Sequence, residues 1–228
     1  MRDPPNQVCV YSDVDETIWH EKSVISFYQH FLMCTQNKDS DELWQQFNTQ
    51  VSNRLADNFS RVELNAWFYR TYFAGISVNL VESIAEDWYM QSTKKEGFWN
   101  KVTLKRLKDH QRQGHAIVLV SGSFREVLSP LAKYLSASAI FCSPLVEENG
   151  RYTGEMDGIP IIGAGKAHAV VQHLMKHEIN HTSSFGYGDD PSDLAFLGCL
   201  GHPYLVVKKE NRQMNSLADI IGYKKLLY

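Results

Sequence analysis

Near the start of the chain stands Val8-Cys9-Val10-Tyr11-Ser12-Asp13-Val14-Asp15-Glu16-Thr17, an apolar run that ends on two aspartates. An apolar run of this length indicates a short buried strand. Asp13 and Asp15 follow at its carboxyl end, where open α/β sheets hold their ligands. At this spacing both carboxylates can approach one point, the first as a nucleophile or metal ligand and the second as an acid or base. Such pairs also occur in solvated turns and at helix starts, so the stretch alone leaves both interpretations open.

The composition is that of an ordinary globular chain. With 228 residues, 43% of them hydrophobic, one or two domains with a sizeable core are expected. A formal net charge of -3 gives no electrostatic argument for nucleic acid or an anionic membrane as a partner. The densest group of basic residues indicates a solvated helix face and comprises Lys101, Lys105, Arg106, Lys108 and Arg112.

Targeting signals and cysteines bear on the compartment. Residues 1–6 lack the apolar core of a secretory signal, and no run reaches the roughly 18 apolar residues of a membrane span. The cysteines are far apart, at Cys9, Cys34, Cys142 and Cys199. Because Cys9 and Cys142 lie in apolar strand-like runs, we expect small core residues in a reducing compartment. These features predict a cytoplasmic monomer or homodimer without nucleic-acid or membrane partners.

Helical periodicity replaces the strand pattern after Thr17. From a possible helix start at Ser23, apolar residues recur every three or four positions, at Val24, Ile25, Phe27, Tyr28, Phe31 and Leu32. Residues 37–95 continue as three or four aromatic-rich helices, broken near 38–40, 57–60 and 75–77. We therefore place an all-helical cap at residues 21–96. Its aromatic stripes are typical of a hydrophobic core, although a ligand cavity is an alternative.

Strands and helices alternate after Gly97. The expected elements are a helix over 99–113, a strand over 115–120, a helix through 135, a strand over 139–142, a hairpin within 145–162 that turns at Asn149-Gly150, a helix over 166–176, a strand over 184–188 and a last strand over 204–207. This alternation predicts an α/β fold with a doubly wound parallel sheet and helices on both faces. We assign residues 1–20 and 97–228 to this domain, with the cap inserted after its first strand.

Polar groups stand at three further strand ends or helix starts. Ser121-Gly122-Ser123 offers a hydroxyl and backbone N–H groups, which suit an oxyanion or phosphate. Lys166 stands at a predicted helix start, where the helix dipole disfavours a cation unless an anion binds beside it. Asp189, Asp190 and Asp193 supply hard oxygen ligands of the kind that Mg²⁺ takes. Each group also has a simpler interpretation, as a turn, a solvated lysine or a helix start. A parallel sheet, however, brings its strand ends into one crevice.

Four ordered motifs resemble those of a known family. They are Asp13-Val14-Asp15-Glu16-Thr17, Ser121-Gly122-Ser123, Lys166, and Gly188-Asp189-Asp190-Pro191-Ser192-Asp193. Their order is similar to that of the haloacid dehalogenase-like (HAD) hydrolase superfamily, which has a Rossmann-like core. The insert and the stretch Trp67-Phe68-Tyr69-Arg70-Thr71-Tyr72-Phe73-Ala74-Gly75-Ile76-Ser77 look like its phosphoserine-phosphatase-like branch, which carries a small helical cap. The resemblance covers nearly the whole chain.

The resemblance implies a Mg²⁺-dependent hydrolase of small-molecule phosphomonoesters. Asp13 would attack phosphorus to give an aspartyl-phosphate, and Asp15 would protonate the leaving alcohol and then activate the hydrolytic water. Mg²⁺ would be held by the Asp13 carboxylate, the Asp15 backbone carbonyl and Asp189, with Asp193 positioning the site. An anionic nucleophile needs such positive charge to approach an anionic phosphate.

The same resemblance implies that Thr17, Ser121, Gly122 and Lys166 hold phosphoryl oxygens. Dehalogenase chemistry has no need of a second aspartate, so Asp15 favours phosphoryl transfer. Two alternatives stay open: phosphotransfer to an acceptor other than water, as in mutases, and a phosphate-binding module without turnover. The intact aspartate and lysine positions argue against the second alternative.

The chain departs from phosphoserine phosphatases at one substrate position. In that branch an acidic residue nine positions after the nucleophile binds the substrate's amino group, whereas this chain has Lys22 there, one position after Glu21. A lysine repels an ammonium group, so we expect a substrate other than phosphoserine unless Glu21 takes the acidic role. Lys22 and Arg125 are candidate substrate contacts. The aromatic-rich cap suggests a substrate with an apolar or ring portion.

Three histidines recur every fourth residue, His173, His177 and His181, which on a continuous helix would place them on one face like zinc ligands. No cysteine or carboxylate completes the set in a suitable position. We therefore interpret these histidines as part of a solvated helix face.

Overall fold

The computed structural model describes residues 7–228, apart from the side chain of Asn37. Residues 1–6, where the sequence predicts no secretory signal, lie outside the described residues. The strands are β1 (Cys9–Ser12), β2 (Ala116–Phe124), β3 (Ala139–Ser143), β4 (Leu145–Glu148), β5 (Arg151–Met156), β6 (Phe185–Gly188), β7 (His202–Val207) and β8 (Lys224–Leu227). Six of them form one parallel sheet in the order β3-β2-β1-β6-β7-β8, and β4 and β5 form a separate antiparallel hairpin.

The α-helices are α1 (Ser23–Gln36), α2 (Ser40–Ala56), α3 (Arg61–Tyr72), α4 (Val78–Ser92), α5 (Lys101–Arg112), α6 (Arg125–Tyr134), α7 (Ala164–Lys176), α8 (Leu194–Leu197) and α9 (Arg212–Ile221). Local signals fix some of their boundaries. Ser60 and Glu63 form a capping box at the start of α3, and the Asn100 side chain accepts hydrogen bonds from the first turn of α5. Among the helices of residues 7–228, none is both long and apolar enough to cross a membrane.

Both faces of the sheet are covered by helices. Because side chains alternate along a strand, Val10 and Ile117 face a core shared with α5, α6 and the helices α1 to α4. Tyr11 and Val118 face the opposite core, which α7, α8 and α9 complete. The predicted doubly wound parallel α/β sheet is therefore confirmed.

The helices α1 to α4 lie between β1 and α5 in the chain and form the cap. Its interior is aromatic, since Phe27, Phe47, Phe68, Phe73 and Trp88 are each at most 4% exposed. The Phe27 and Phe73 rings, for example, lie 6.4 Å apart between centroids. The aromatic stripes thus build the cap's own core, and some of their members also border the cavity described below.

The β4–β5 hairpin is attached to the cap. The backbone N–H of Gly75 donates to the Tyr152 carbonyl at 2.7 Å. Arg70 and Glu155 form a bidentate ion pair with N···O distances of 3.0 and 2.9 Å. Gly154 has a φ of +87°, and a Cβ there would lie 3.0 Å from the Cα of Arg70. Glycine at this position therefore allows the hairpin to approach α3 closely.

The sheet continues beyond the last strand that the sequence predicts. After β7 the chain forms α9 and then β8, which pairs in parallel with β7. The prediction that 204–207 is the final strand is therefore wrong. In Lys224-Lys225-Leu226-Leu227 the buried residue is Leu226. Charged side chains are common on edge strands and remove the alternating apolar pattern that would reveal them.

The environments of the four cysteines differ. Cys9 is buried in β1, as expected of a small core residue. Cys34, which lies in no apolar strand-like run, is exposed on α1 with its Sγ 3.5 Å from Nε2 of His30. The helix places Cys34 on the outer surface of the cap, where it packs into no core.

Candidate active site

The predicted site residues meet at the carboxyl ends of β1, β2 and β6. A cavity of about 510 Å³ lies there between the sheet and the cap. Its lining includes Asp13, Asp15, Lys22, Ser121, Gly122, Lys166, Asp189 and Asp193. The adjacent strands β1 and β6 lie where the strand order reverses, which is the switch point at which open α/β sheets bind ligands.

The ammonium of Lys166 lies between two carboxylates. Its Nζ donates hydrogen bonds to Oδ1 of Asp13 at 2.5 Å and to Oδ1 of Asp193 at 2.6 Å. All three side chains are buried, with at most 7% of each exposed. Burial by itself would lower the pKa of Lys166, but the two carboxylates outweigh it and raise that pKa above its ordinary value. The lysine therefore keeps its charge at neutral pH.

Three carboxylates crowd one point beside this lysine. Oxygens of Asp13, Asp189 and Asp193 lie within 4.8 Å of one another. Burial first, and then the charges of Asp13 and Asp193, raise the pKa of Asp189 to about 9. Burial and the charge of Asp13 likewise raise the pKa of Asp193 to about 6. The ammonium of Lys166 cannot by itself neutralise three carboxylates, so this set of hard oxygen donors fits a divalent cation such as Mg²⁺.

The loop after β6 fixes the direction of these carboxylates. Oδ2 of Asp193 accepts hydrogen bonds from the backbone N–H groups of Asp189 at 3.1 Å and Asp190 at 3.3 Å. Oδ1 of Asp190 accepts one from the N–H of Ser192 at 2.9 Å, at the start of a 3₁₀ turn. Asp193 thereby holds the backbone that carries Asp189.

Thr17 lies beside these carboxylates and not on the cavity surface. Its Oγ1 donates a hydrogen bond to Oδ1 of Asp189 at 2.9 Å, and the residue is fully buried. The resemblance implied a contact between Thr17 and phosphate. In the structure the hydroxyl orients the Asp189 carboxylate, because the turn after Asp15 directs it toward the neighbouring strand, and the phosphate contact stays a prediction.

Asp15 is held by the entry to the cap. The indole N–H of Trp19 donates to Oδ1 at 2.9 Å, and the backbone N–H of Ser23, the first residue of α1, donates to Oδ2 at 3.1 Å. Burial raises the pKa of Asp15, and these hydrogen bonds oppose the rise without cancelling it. Sequence reasoning missed both donors. The available signal was the helix start at Ser23, since the first N–H groups of a helix lack intrahelical partners.

The Ser-Gly-Ser turn forms the end of β2. Ser121 is buried, and its Oγ accepts a hydrogen bond from the N–H of Ser123 at 3.1 Å. The carbonyl of Gly122 accepts one from Nδ2 of Asn65 at 3.0 Å. A Cβ at Gly122 would lie 2.9 Å from Cγ1 of Ile162, so glycine fits where a larger residue would collide. Asn65 belongs to α3, and its separation of 57 residues from Gly122 explains why no sequence pattern indicated it.

The structure distinguishes the two neighbouring residues Glu21 and Lys22. Lys22 lines the cavity, and its Nζ lies 3.7 Å from Oε2 of Glu16. Glu21 instead accepts a hydrogen bond from the Ser26 hydroxyl, and its Oε1 lies 3.4 Å from Nζ of Lys95. The side chain beside the cavity is thus the cation.

Two arginines near the site, Arg125 and Arg61, are placed differently from each other. Arg125 begins α6 with an exposed side chain outside the cavity lining, and its charge acts on Cys142 in β3. The structure therefore does not bring Arg125 to the substrate position that we expected for it. Arg61 of the cap does line the cavity, with Nη1 3.1 Å from Oδ1 of Asp190 and 3.3 Å from Oγ of Ser192.

The three histidines do not form one helical face. Helix α7 ends at Lys176, and His181 lies in a separate 3₁₀ turn. His173 is engaged through Nδ1 with the Tyr11 hydroxyl at 2.9 Å. Within residues 7–228, the clusters of potential metal ligands include none of these three histidines. They are Asp13, Asp189 and Asp193, and His30, Cys34 and Asp87.

Comparison with known proteins places this geometry in a family. Residues 10–198 match the family model described as haloacid dehalogenase-like hydrolase. The chain belongs to the haloacid dehalogenase-like hydrolase family. This HAD protein is similar to a probable phosphatase of Mycobacterium tuberculosis, with 24% identity over 228 residues, which cover 99% of this chain and 77% of that protein.

Solved structures share the fold of this HAD protein. A protein with unknown function from Bordetella pertussis Tohama I has a TM-score of 0.83 at 16% identity, covering 97% of this chain and 98% of the other. A phospho-aspartyl intermediate analogue of phosphoserine phosphatase has a TM-score of 0.61 at 13% identity, covering 88% and 87%. The family model and the relatives named phosphatase identify the HAD protein as a phosphatase, as the sequence predicted, and a solved phosphoserine phosphatase shares its fold.

Proposed function

We propose that this phosphatase hydrolyses phosphate monoesters of small molecules through an aspartyl-phosphate on Asp13, with Mg²⁺ as cofactor. The observation that carries the proposal is the position of the Asp13 carboxylate, 2.5 Å from Nζ of Lys166 in a buried site. Positive charge beside the carboxylate reduces its repulsion from an anionic phosphate. The solved phosphoserine phosphatase that carries a phospho-aspartyl analogue supports the covalent step.

The crowded carboxylates support the metal. Asp13, Asp189 and the backbone carbonyl of Asp15 would hold Mg²⁺, and Asp193 would position them. Burial and then the charge of Asp13 raise the pKa values of Asp189 and Asp193, and a divalent cation would relieve the repulsion among these carboxylates. When bound, Mg²⁺ supplies charge neutralisation at the phosphoryl oxygens.

In the first step an oxygen of Asp13 bonds to phosphorus, and the bond from phosphorus to the alcohol oxygen breaks. Asp15 gives its proton to the departing oxygen, a role that its raised pKa supports. Lys166, Ser121 and the Gly122 N–H would hold the phosphoryl oxygens. In the second step water attacks phosphorus, Asp15 takes a proton from that water, and the bond to Asp13 breaks. Inorganic phosphate leaves, and both aspartates return to their starting states.

The proposed substrate is a small phosphate ester other than phosphoserine. The cation Lys22 borders the cavity where an acidic residue would attract the amino group of phosphoserine. Glu21 is engaged with Ser26 and Lys95 instead. We keep a cytoplasmic monomer or homodimer, without nucleic-acid or membrane partners, as part of the proposal. The net charge of -3 supports it, since anionic polymers and surfaces are not attracted.

The test measures phosphate release from an aryl phosphate, with Mg²⁺ or with a chelator. We expect release to require Mg²⁺, and Asp13→Asn to lower its rate by on the order of 10⁴-fold or more. Asp219→Asn is the matched control, because this exposed aspartate on α9 pairs with Lys225 far from the site. Unchanged release by Asp13→Asn would overturn the covalent role.

Two further outcomes separate the alternatives. If phosphate appears on an added alcohol and not as inorganic phosphate, the protein is a phosphotransferase. If the wild type releases no phosphate, binding of beryllofluoride becomes the deciding measurement. A nucleophilic Asp13 with its metal forms the aspartyl-phosphate mimic, whereas failure to form it leaves a non-catalytic phosphate-binding module.

A further inference from the structure

The cap side of the cavity is apolar. The residues that we propose to act on phosphate, among them Asp13 and Lys166, line the cavity at the strand ends. The opposite wall is built by side chains of three cap helices, among them Val24 and Ile25 from α1, Phe47 and Val51 from α2, and Leu64 and Phe68 from α3. A substrate whose phosphate rests at the strand ends therefore directs its alcohol part against hydrocarbon.

The charged residues on this side of the cavity are already paired. Nζ of Lys22 lies 3.7 Å from Glu16, and Nη1 of Arg61 lies 3.1 Å from Asp190. Each cation thus has a carboxylate beside it within the cavity lining. A second charged group on the substrate would have to compete with these existing ion pairs.

The amides on this wall add little polarity. Asn65 directs its Nδ2 to the Gly122 carbonyl at 3.0 Å, and Asn48 is the other amide of the cavity lining. The wall therefore offers few hydrogen-bonding groups to a polar alcohol. Serine or glycerol groups would leave their polar atoms unpaired against it, which weakens binding.

We propose that the alcohol part of the substrate is an apolar alkyl or aryl group without a further charge, packed against Val51, Leu64 and Phe68. This inference rests on the proposed phosphatase function and names its substrate class. The cavity of about 510 Å³ has the size of pockets that hold drug-sized ligands, far more than phosphate alone requires. Leu55 also lines the cavity, is 55% exposed, and extends the apolar surface toward solvent.

The test compares kcat/KM across phosphate esters. An n-alkyl series runs from ethyl to octyl phosphate, and an aryl series comprises phenyl and naphthyl phosphate. Phosphoserine and glycerol phosphate serve as polar esters. We expect kcat/KM to rise about fourfold for each added methylene until the cavity is filled, and the polar esters to fall below butyl phosphate. The series in which kcat/KM rises more steeply indicates whether the substrate carries an alkyl or an aryl group. A flat alkyl series, or a preference for the polar esters, would overturn the inference.

Matched variants test whether the preference for longer alkyl esters comes from the apolar side chains of the cavity wall. Leu64→Asn should lower the ratio of kcat/KM for octyl phosphate to that for ethyl phosphate. Leu80→Asn makes the same change at a 43% exposed position of α4 and should keep the wild-type ratio. If Leu64→Asn fails to fold, Val51→Thr adds a hydroxyl with almost no change of shape. An unchanged ratio in a folded wall variant would contradict the proposal.

Binding measurements distinguish failure of this inference from failure of the proposed function. Calorimetry with Asp13→Asn should show octyl phosphate binding more tightly than ethyl phosphate or phosphoserine. If the wild type hydrolyses no ester, the proposed function fails, while the calorimetric series still tests the apolar wall. If every ester is hydrolysed with equal efficiency and bound with equal affinity, the function stands and the apolar substrate class is wrong.

Discussion

The backbone N–H of Ser23 donates a hydrogen bond to Oδ2 of Asp15 over 3.1 Å. Ser23 begins the first helix of the cap, whereas Asp15 belongs to the loop after β1 of the core. The other carboxylate oxygen accepts a hydrogen bond from the indole of Trp19 at 2.9 Å. The residue proposed as acid and base is therefore oriented on both sides by the segment that leads into the cap.

We predict that Asp15→Asn separates the two chemical steps. An aryl alcohol leaves without protonation, so Asp13 still becomes phosphorylated, while loss of the base slows hydrolysis by about 10²–10⁴-fold. Rapid mixing with an aryl phosphate should show one equivalent of aryl alcohol per enzyme in a burst, followed by slow turnover. Asp219→Asn should turn over without this change. A variant that shows no burst and keeps the wild-type steady rate would remove Asp15 from the mechanism.

We predict that Mg²⁺ raises the thermal midpoint of unfolding. A cation that binds the folded site relieves repulsion among Asp13, Asp189 and Asp193, and stabilises it by about 2.7 kcal/mol at 100 times its dissociation constant. Thermal unfolding with Mg²⁺ and with a chelator measures the shift. Asp189→Asn should abolish the shift, whereas Asp109→Asn on α5 should retain it. An equal shift in both variants would place the cation elsewhere.

We predict that Gly154→Ala destabilises the protein more than Gly158→Ala. Both glycines have positive φ, +87° and +97°, so both substitutions carry a similar backbone cost. A Cβ at position 154 would in addition lie 3.0 Å from the Cα of Arg70, whereas nothing lies within 4 Å at position 158. We expect an extra loss of about 1–3 kcal/mol in the free energy of unfolding, measured by denaturant titration. Equal losses would mean that the hairpin shifts without cost.

We predict that His110 makes the fold sensitive to acid. Burial first, and then the charges of His115 and Arg106, lower the pKa of His110 to about 4, below the ordinary value of 6.5. Between these values the unfolded chain binds the proton and the folded protein does not. The free energy of unfolding should therefore fall by at most about 3 kcal/mol as pH drops from 6.5 to 4.

The matched variants for this prediction are His110→Gln and His168→Gln. His110 is 4% exposed and engages Tyr187 through Nε2 at 2.8 Å, so glutamine keeps a polar group there. Denaturant unfolding at several pH values should show a shallower acid loss for His110→Gln. His168→Gln, at an exposed position of α7, should follow the wild-type curve. Parallel curves for all three proteins would contradict the assignment.

The sequence was most informative where a charged side chain stands at the end of a strand or the start of a helix. Asp13 and Lys166 each stand where a strand or helix terminates, and a parallel sheet brings such termini together. The lysine was informative because a cation at a helix start is unfavourable. The structure supplies the compensation, with Asp13 at 2.5 Å and Asp193 at 2.6 Å.

Contacts that depend on how the cap packs on the sheet could not be predicted from the sequence. The bond from Asn65 to Gly122 joins residues with no shared local pattern. The direction of the Thr17 and Arg125 side chains depends on rotations that neither periodicity nor spacing encodes. His181 left the expected helical face because Glu178 has a φ of +53°, which ends the helical geometry after α7.

The hairpin changes how the cap can move. A lid joined to its base by two linkers can swing widely, but here the chain crosses between the two parts four times: after β1, after α4, after β3 and after β5. The fourth linker, residues 157–163, leads directly into α7, where Lys166 lies. A displacement of the cap together with its hairpin would therefore be transmitted to the segment that carries Lys166. The position of the cap and the position of Lys166 beside Asp13 and Asp193 are thus mechanically linked.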